Sequence, residues 1–236
     1  MLAKRLNCAD VVITAGVPKS RQFDDIYFSP VDGAAESVYN FIDGNALATR
    51  FQQSSLNRFT IAETGFGTGL NFFLTLACWH KYAPDKACLH FISVEKYPLT
   101  TEQLRKIYAD NPCYSEFFDA INQLLGQYPR LEAGCYHLDF GSVRLTLLFG
   151  DASEQFKRYD FTADAWFLDG FAPSKNPDMW SPDVFDIIAK RSRLGTTFAT
   201  FTAASAIRKG LQATGFTVRK AKGFGSKRER LLGHIA

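Results

Sequence analysis

Four carboxylates, Glu63, Glu95, Asp151 and Asp169, fall at or just past the ends of four strand-like hydrophobic runs. The first opens the stretch "AETGFGTGLN", residues 62–71, where Gly65, Gly67 and Gly69 take alternate positions directly after the acid. Glycines at that density give up side-chain packing so that the backbone turns sharply and approaches a ligand. A strand, a glycine loop and a helix in succession admit three ligand classes. A nucleoside triphosphate requires Lys-Ser/Thr after the last glycine, whereas Leu70 and Asn71 follow here. A dinucleotide requires G-x-G-x-x-G and an acid roughly 20 residues on. The spacing here is G-x-G-x-G, with Glu95 thirty residues beyond Gly65, so a nicotinamide-dependent oxidoreductase is a strained alternative.

Glu63 separates these classes. A carboxylate one position before the turn repels a pyrophosphate but suits an ammonium, as in the methionine moiety of S-adenosylmethionine. Glu95 then suits the ribose hydroxyls, because a carboxylate accepts two hydrogen bonds from a diol. Asp151, in "FGDA", suits the exocyclic amine of adenine. Asp169 lies in "AWFLDGFAPSKNPDMWSPDVF", residues 165–185, a loop stiffened by three prolines where a transferred group would emerge. Within it, Phe171 and Trp180 are either core or a surface for a base or a sulfonium, and Lys175 is a candidate phosphate contact. Any single acid of this kind is more often a helix cap; their order at successive strand ends argues for a site.

The elements that place these acids follow from periodicity. Phe59–Thr64 and His90–Glu95 read as strands, with helices at Leu70–Lys81 and Leu99–Ala109, the latter opened by a Thr100…Gln103 capping box. A helix is expected over Ser115–Leu125, then a hairpin of Cys135–Phe140 and Ser142–Phe149 around Gly141. Strands at Asp164–Leu168, Thr196–Thr202 and Phe216–Lys220 alternate with helices near Pro182–Ser192 and Ala203–Ala213, and Arg230–Ile235 closes the chain as a last strand. Such alternation predicts a mostly parallel, doubly wound α/β sheet with ligands at the strands' carboxyl ends. Residues 1–58 read as turns and short strands, with a turn signal at Asp32-Gly33, and are expected as a β-rich extension packed on a 59–236 core.

Composition agrees with one globular unit: 236 residues, 46% hydrophobic and 22% charged. No apolar run approaches the ~20 residues of a membrane span. "MLAKRLNCAD" shows no secretory signal, so a cytoplasmic location is expected. Five cysteines, widely spaced, suggest neither a disulfide framework nor a metal site and are expected as buried thiols. Charge is uneven: residues 190–236 hold eleven Lys/Arg and one acid, against sixteen and twenty-three in the rest. That asymmetry points to a polyanion partner, with Phe216 and Phe224 interleaved as for single-stranded bases.

Taken together, "FTIAETGFGTGLNFF", "HFISVEKYPLT", "LLFGDA", "AWFLDGFAPSKNPDMW" and "KGFGSKRERLLG" resemble the methyltransferase half of the bacterial tRNA wobble-uridine enzymes of the MnmC family. The likeness runs from "DDIYFS" to the C-terminal basic stretch. It implies a Rossmann-like class I methyltransferase fold and methyl transfer from S-adenosylmethionine to 5-aminomethyluridine, often 2-thiolated, at the tRNA wobble position. It also implies that Glu63, Gly65, Gly67 and Gly69 form the cofactor loop, Glu95 binds ribose, Asp151 lies on the adenine side and Asp169 beside the transferred methyl. Read from the loop and from the basic C-terminal stretch, Phe171, Lys175, Lys227, Arg228 and Arg230 are candidate tRNA contacts. Many members continue into an FAD-dependent oxidase domain that prepares the amine; no second glycine loop precedes Ala236, so that activity is expected elsewhere in a longer chain or in a partner. A non-catalytic RNA-binding module is the second alternative, and the full set of strand-end acids argues against it.

Overall fold

The computed structural model describes residues 5–236. Its centre is an eight-stranded sheet built from β4 (Arg58–Thr64), β5 (Cys88–Glu95), β6 (Gly134–Phe140), β7 (Val143–Phe149), β8 (Ala163–Leu168), β9 (Ser192–Thr200), β10 (Phe216–Lys222) and β11 (Glu229–Ile235). The spatial order is β10-β11-β9-β8-β4-β5-β7-β6. All pairs from β9 to β7 are parallel, while β11 and the edge strand β6 run against their neighbours. The chain builds outward from β4 through β5 and β7, then returns to start β8 on β4's other side. That reversal leaves a crevice at the carboxyl ends of β4 and β8, where open α/β sheets bind ligands.

The central strands read as continuous apolar runs because both faces are covered. Along β8 and β9, Phe167 and Ala199 point into one core with α3 (Leu70–Tyr82), α4 (Thr101–Asp110) and α5 (Phe118–Gln127). Their neighbours Trp166 and Phe198 point into a second core with α6 (Ala152–Arg158), α7 (Pro182–Lys190) and α8 (Ser205–Ala213). The capping box of α4 is complete: Thr100 accepts from Gln103 N at 3.1 Å and Gln103 accepts from Thr100 N at 2.7 Å. The hairpin around Gly141 forms as its alternation predicts.

One expectation holds in part and one is corrected. The N-terminal region holds an antiparallel sheet of β1 (Val11–Thr14), β2 (Val17–Ser20) and β3 (Asp25–Ile26), but its second half is helical: α1 (Gly33–Ser37), a π-helical turn over Val38–Asp43, and α2 (Leu47–Phe51). Asp32 ends the turn over residues 30–32 and caps α1, accepting from Ala35 N at 2.9 Å; helices of five residues carry too little periodicity to be read. These helices bury Phe51 against Trp79 (4.8 Å between ring centroids) and stack Phe41 on Phe167 (5.2 Å). Deleting a ring such as Phe51 costs about 3–5 kcal/mol. The cysteines are not buried: Cys8, Cys88 and Cys135 are exposed, Cys78 and Cys113 half-buried. Cys88 starts β5 and Cys135 lies on the sheet edge, where one side meets solvent.

Candidate active site

The glycine loop leaves β4 and is stitched to β5, with Gly65 N and Phe66 N both donating to Val94 O at 3.0 and 3.1 Å. Gly69 caps α3 in the left-handed region, φ +75°, and a Cβ there would lie 2.8 Å from the Phe66 ring. Gly67, φ +52°, has the Tyr27 ring directly over it, 3.1 Å from where a Cβ would stand. From below, Tyr114 Oη donates to Thr68 Oγ1 at 2.7 Å and Tyr108 Oη to Thr68 O at 2.8 Å. The loop is therefore held by β5 on one side and by two tyrosine hydroxyls on the other.

Above it lies a cleft of about 1210 Å³, its open mouth included, that extends across the ends of β4, β5, β7 and β8. Gly65, Gly67, Glu95, Asp151, Asp169 and Phe171, six of the residues singled out from sequence, line it. Its charged lining is Asp10, Glu95, Asp151, Asp169 and Asp178 against one cation, Lys96. Such a wall fits a cationic ligand bearing a diol and an amine, and opposes a pyrophosphate. S-adenosylmethionine fits that donor set, and the Gly67 position, where a side chain would meet Tyr27, leaves the backbone bare beside it.

Each acid is held differently. Glu95 accepts from Gly67 N at 2.9 Å and Tyr97 N at 2.8 Å, one bond per oxygen, which leaves lone pairs free for a diol. Burial raises its pKa against those two bonds. Asp151 is the N-cap of α6, accepting from Ser153 N at 3.0 Å, and pairs with Lys96 at 3.1 Å. Burial works upward on it and is outweighed by the Lys96 and Ser153 bonds, so its pKa lies below the ordinary value. Asp169 accepts from Gly170 N at 2.8 Å and from Asn71 Nδ2 at 2.7 Å. Its burial lifts the carboxyl from 3.8 to about 6.

Glu63 is placed differently from its sequence reading. It is 1% exposed, outside the cleft lining, and accepts from Asn71 Nδ2 at 2.9 Å and Ser93 Oγ at 2.7 Å. Burial drives its pKa well above the carboxylate range, so the ammonium contact expected of a charged Glu63 has no direct route. Gly69 likewise shapes the loop from behind. Lys175 lies outside the lining, donating to Asp24 O and pairing with Asp25 at 3.6 Å. Phe171 stacks on Phe23 at 4.8 Å, whereas Trp180 is 7% exposed and donates to Phe171 O at 3.0 Å, a core residue that props the cleft wall.

The basic candidates also diverge. Arg228 is exposed. Lys227 pairs with Glu36 at 2.5 Å. Arg230 is turned inward, 6% exposed, donating to Tyr39 O and Asn40 O with its guanidinium 3.9 Å from the Tyr39 ring centroid. It is therefore corrected from an RNA contact to a structural cation. Asn71 and Phe23 are cleft residues that sequence reading missed. Asn71 follows the last glycine by two positions, a spacing that marked only the start of a helix.

The strand order, with an antiparallel last strand inserted between β9 and β10, and the acid-lined cleft at the switch point define a class I methyltransferase. The family described as S-adenosyl-L-methionine-dependent methyltransferase matches residues 115–236. Among curated relatives, the chain is 47% identical over 225 residues to the tRNA 5-methylaminomethyl-2-thiouridine biosynthesis bifunctional protein MnmC of Marinomonas sp., covering 93% of this chain and 32% of that protein. To the protein of the same name from Chromohalobacter salexigens it is 48% identical over 221 residues, covering 93% and 31%. The crystal structure of MNMC2 from Aquifex aeolicus superposes with a TM-score of 0.73 at 26% identity, covering 97% of this chain and 71% of that one. The chain belongs to the S-adenosyl-L-methionine-dependent methyltransferase family and corresponds to the methyltransferase domain of MnmC-type proteins. It spans about a third of the length of those curated relatives. Family membership removes the nicotinamide alternative. Among the described residues no helix is long and apolar enough to cross a membrane.

Proposed function

We propose that the chain methylates the exocyclic amine of 5-aminomethyluridine, with or without 2-thiolation, at the wobble position of tRNA, giving 5-methylaminomethyluridine. The observation that carries this reading is Asp169, an acid on the cleft wall beside the glycine loop whose proton affinity burial has raised. S-adenosylmethionine supplies an electrophilic methyl on a sulfonium. A nucleophile for it must present a lone pair, yet an alkylamine is mostly protonated at neutral pH. Asp169 accepts a hydrogen bond from that amine, orients its lone pair and draws off the proton, directly or through water.

Magnitudes decide how much Asp169 does. An ordinary aspartate lies roughly six units below an alkylammonium, and each unit is worth about 1.4 kcal/mol. Raising Asp169 to about 6 removes about a third of that gap. The residue is thus an orienting acceptor with solvent as the final proton sink, and holding the amine at near-attack distance supplies much of the acceleration. Glu95 is assigned to the ribose and Asp151, with Lys96, to the adenine side; Phe171 and Phe23 form an aromatic wall at the cleft mouth. The basic C-terminal region is the surface for the tRNA backbone.

The relatives' printed names support the substrate assignment. The word "bifunctional" in those names supports a second activity; we assign to it the FAD-dependent oxidation that makes the amine, as the resemblance implies. The test is methyl transfer from labelled S-adenosylmethionine to tRNA carrying 5-aminomethyluridine, with the nucleoside identified by mass. No label in that nucleoside, with label entering another base, would refute the reading.

A further inference from the structure

Asn71 occupies the second position of α3, and its side-chain amide reaches back beneath the glycine loop. The single Nδ2 group donates to Glu63 Oε1 at 2.9 Å and to Asp169 Oδ2 at 2.7 Å, so the carboxyls at the ends of two adjacent strands share one donor. Glu63 is braced on its far side by Ser93 Oγ at 2.7 Å. An ionised Asp169 favours this orientation: reversed, the amide oxygen would confront its carboxylate. The arrangement leaves Asn71 Oδ1 buried with no partner among the described protein groups. An unsatisfied buried acceptor costs about 1–3 kcal/mol.

We propose that Asn71 is a positioning residue for methyl transfer: braced by the Glu63 carboxyl, it holds the Asp169 carboxylate ionised and facing the substrate amine. The proposal rests on Asp169 as the amine's proton acceptor. In the transfer the amine nitrogen forms the new N–C bond with its lone pair, the C–S bond breaks with its electrons left on sulfur, and the proton shed by nitrogen passes to Asp169 and on to solvent. Asp169 keeps lone pairs for this, because Asn71 and Gly170 take only one bond from each oxygen. The other charged groups acting on Asp169 are Glu36 from α1 and Lys227 from the β10–β11 turn, which face it as an ion pair and oppose each other.

The test is an infrared titration of carboxyl stretching in the full chain without cofactor or RNA, with Asp169→Asn used to assign the band. In the parent the Asp169 band is expected to titrate near pH 6. Asn71→Ala, and the shape-matched Asn71→Leu, should move that midpoint upward by about one unit, since the lost bond favours the ionised form. The acid limb of the single-turnover rate should move with it. Glu63→Gln, neutral and of equal shape, should leave the midpoint within about 0.3 unit. A midpoint that stays put in the Asn71 variants overturns the proposal, as does a Glu63→Gln shift as large as that of Asn71→Leu. If both Asn71 variants unfold, the parent decides: its Asn71 side-chain amide nitrogen resonance should titrate together with Asp169, and a flat resonance from about pH 4 to 8 overturns the coupling. Because the infrared and resonance titrations need no substrate, a failure of tRNA methylation would refute the substrate reading and leave the Asn71–Asp169 coupling standing.

Discussion

The cleft and the C-terminal hairpin carry opposite charge, and they use it in opposite ways. In the cleft, five acids face one lysine, and each acid the sequence singled out there is held by backbone or amide donors. In residues 190–236, eleven cations face one acid, yet several are already engaged. Arg230 is buried, Lys220 pairs with Glu229 at 2.7 Å, and Lys227 pairs with Glu36. Charge that is buried and hydrogen-bonded becomes a tuned chemical group. Charge on a surface acts by its sum, and only the unpaired fraction is available to a polyanion.

The largest effect should come from the acid end. Asp169→Asn keeps the shape but removes the acceptor, so single-turnover transfer should slow by at least a hundredfold, within the ~10²–10⁴ of proton-transfer catalysis. In the parent, the rate should climb as pH rises through about 6 while Asp169 ionises, and the variant should lose that limb. Stability should move the other way. A carboxyl whose pKa is raised on folding contributes stability below its unfolded value of 3.8, and that contribution is lost as pH rises through about 6. The full two-unit shift is worth about 3 kcal/mol; solvent in the open cleft reduces this to about 1–2. Asp169→Asn should therefore melt higher than the parent at about pH 8, the gap closing toward pH 4. Equal melting curves across that range would mean that burial does not tune this acid.

Arg230 tests the other side of the comparison. Arg230→Gln removes a guanidinium that bonds two backbone carbonyls of the π-helical turn and lies over Tyr39. A loss of about 2–4 kcal/mol in stability is expected, read by denaturant melts. A variant that melts like the parent but binds tRNA far more weakly would return Arg230 to the RNA surface.

How much of this was legible follows from what each signal measures. The β4-loop-α3 unit and the strand-end acids were readable because apolar runs, glycines and position along the chain report local geometry. Glu95 and Asp151 reach the cleft because they end strands that adjoin in the sheet. Whether an acid faces the cleft or lies one layer behind it depends on a partner far away in sequence. Glu63 is drawn under the loop by Ser93, thirty residues on, and by Asn71. Arg230 is the same case over 191 residues, since the groove that accepts it is made by Tyr39 and Asn40. The short N-terminal helices were illegible for a different reason: their stability comes from packing Phe41 and Phe51 onto the sheet, not from a periodic pattern.

Cofactor affinity gives an intermediate effect. Glu95→Ala should weaken S-adenosylmethionine binding by about 1.5–3 kcal/mol, the range for a lost charged hydrogen bond. Asp151→Asn should cost less, because asparagine caps α6 equally well and only the charge opposite Lys96 is removed. Calorimetric titration separates the two. Equal losses would show that Asp151 binds through its charge and not through its place at the helix end.

The smallest effect per residue belongs to the exposed cations. Arg219, Lys222 and Arg228 are exposed, and among the described residues none of them joins an ion pair. If they meet the tRNA backbone, each phosphate contact adds about 0.7–0.9 to the slope of log affinity against log salt. Replacing all three with Gln should lower that slope by about two to three while leaving cofactor affinity and melting temperature unchanged. Lys220→Gln should change it less, since this lysine already neutralises Glu229. The measurement is tRNA binding across a salt series for parent and variants. A slope that stays fixed in the triple variant would place the RNA on another face. One that falls equally for Lys220→Gln alone would mean that pairing does not withhold a surface charge, which would dissolve the contrast between engaged and available cations in the hairpin.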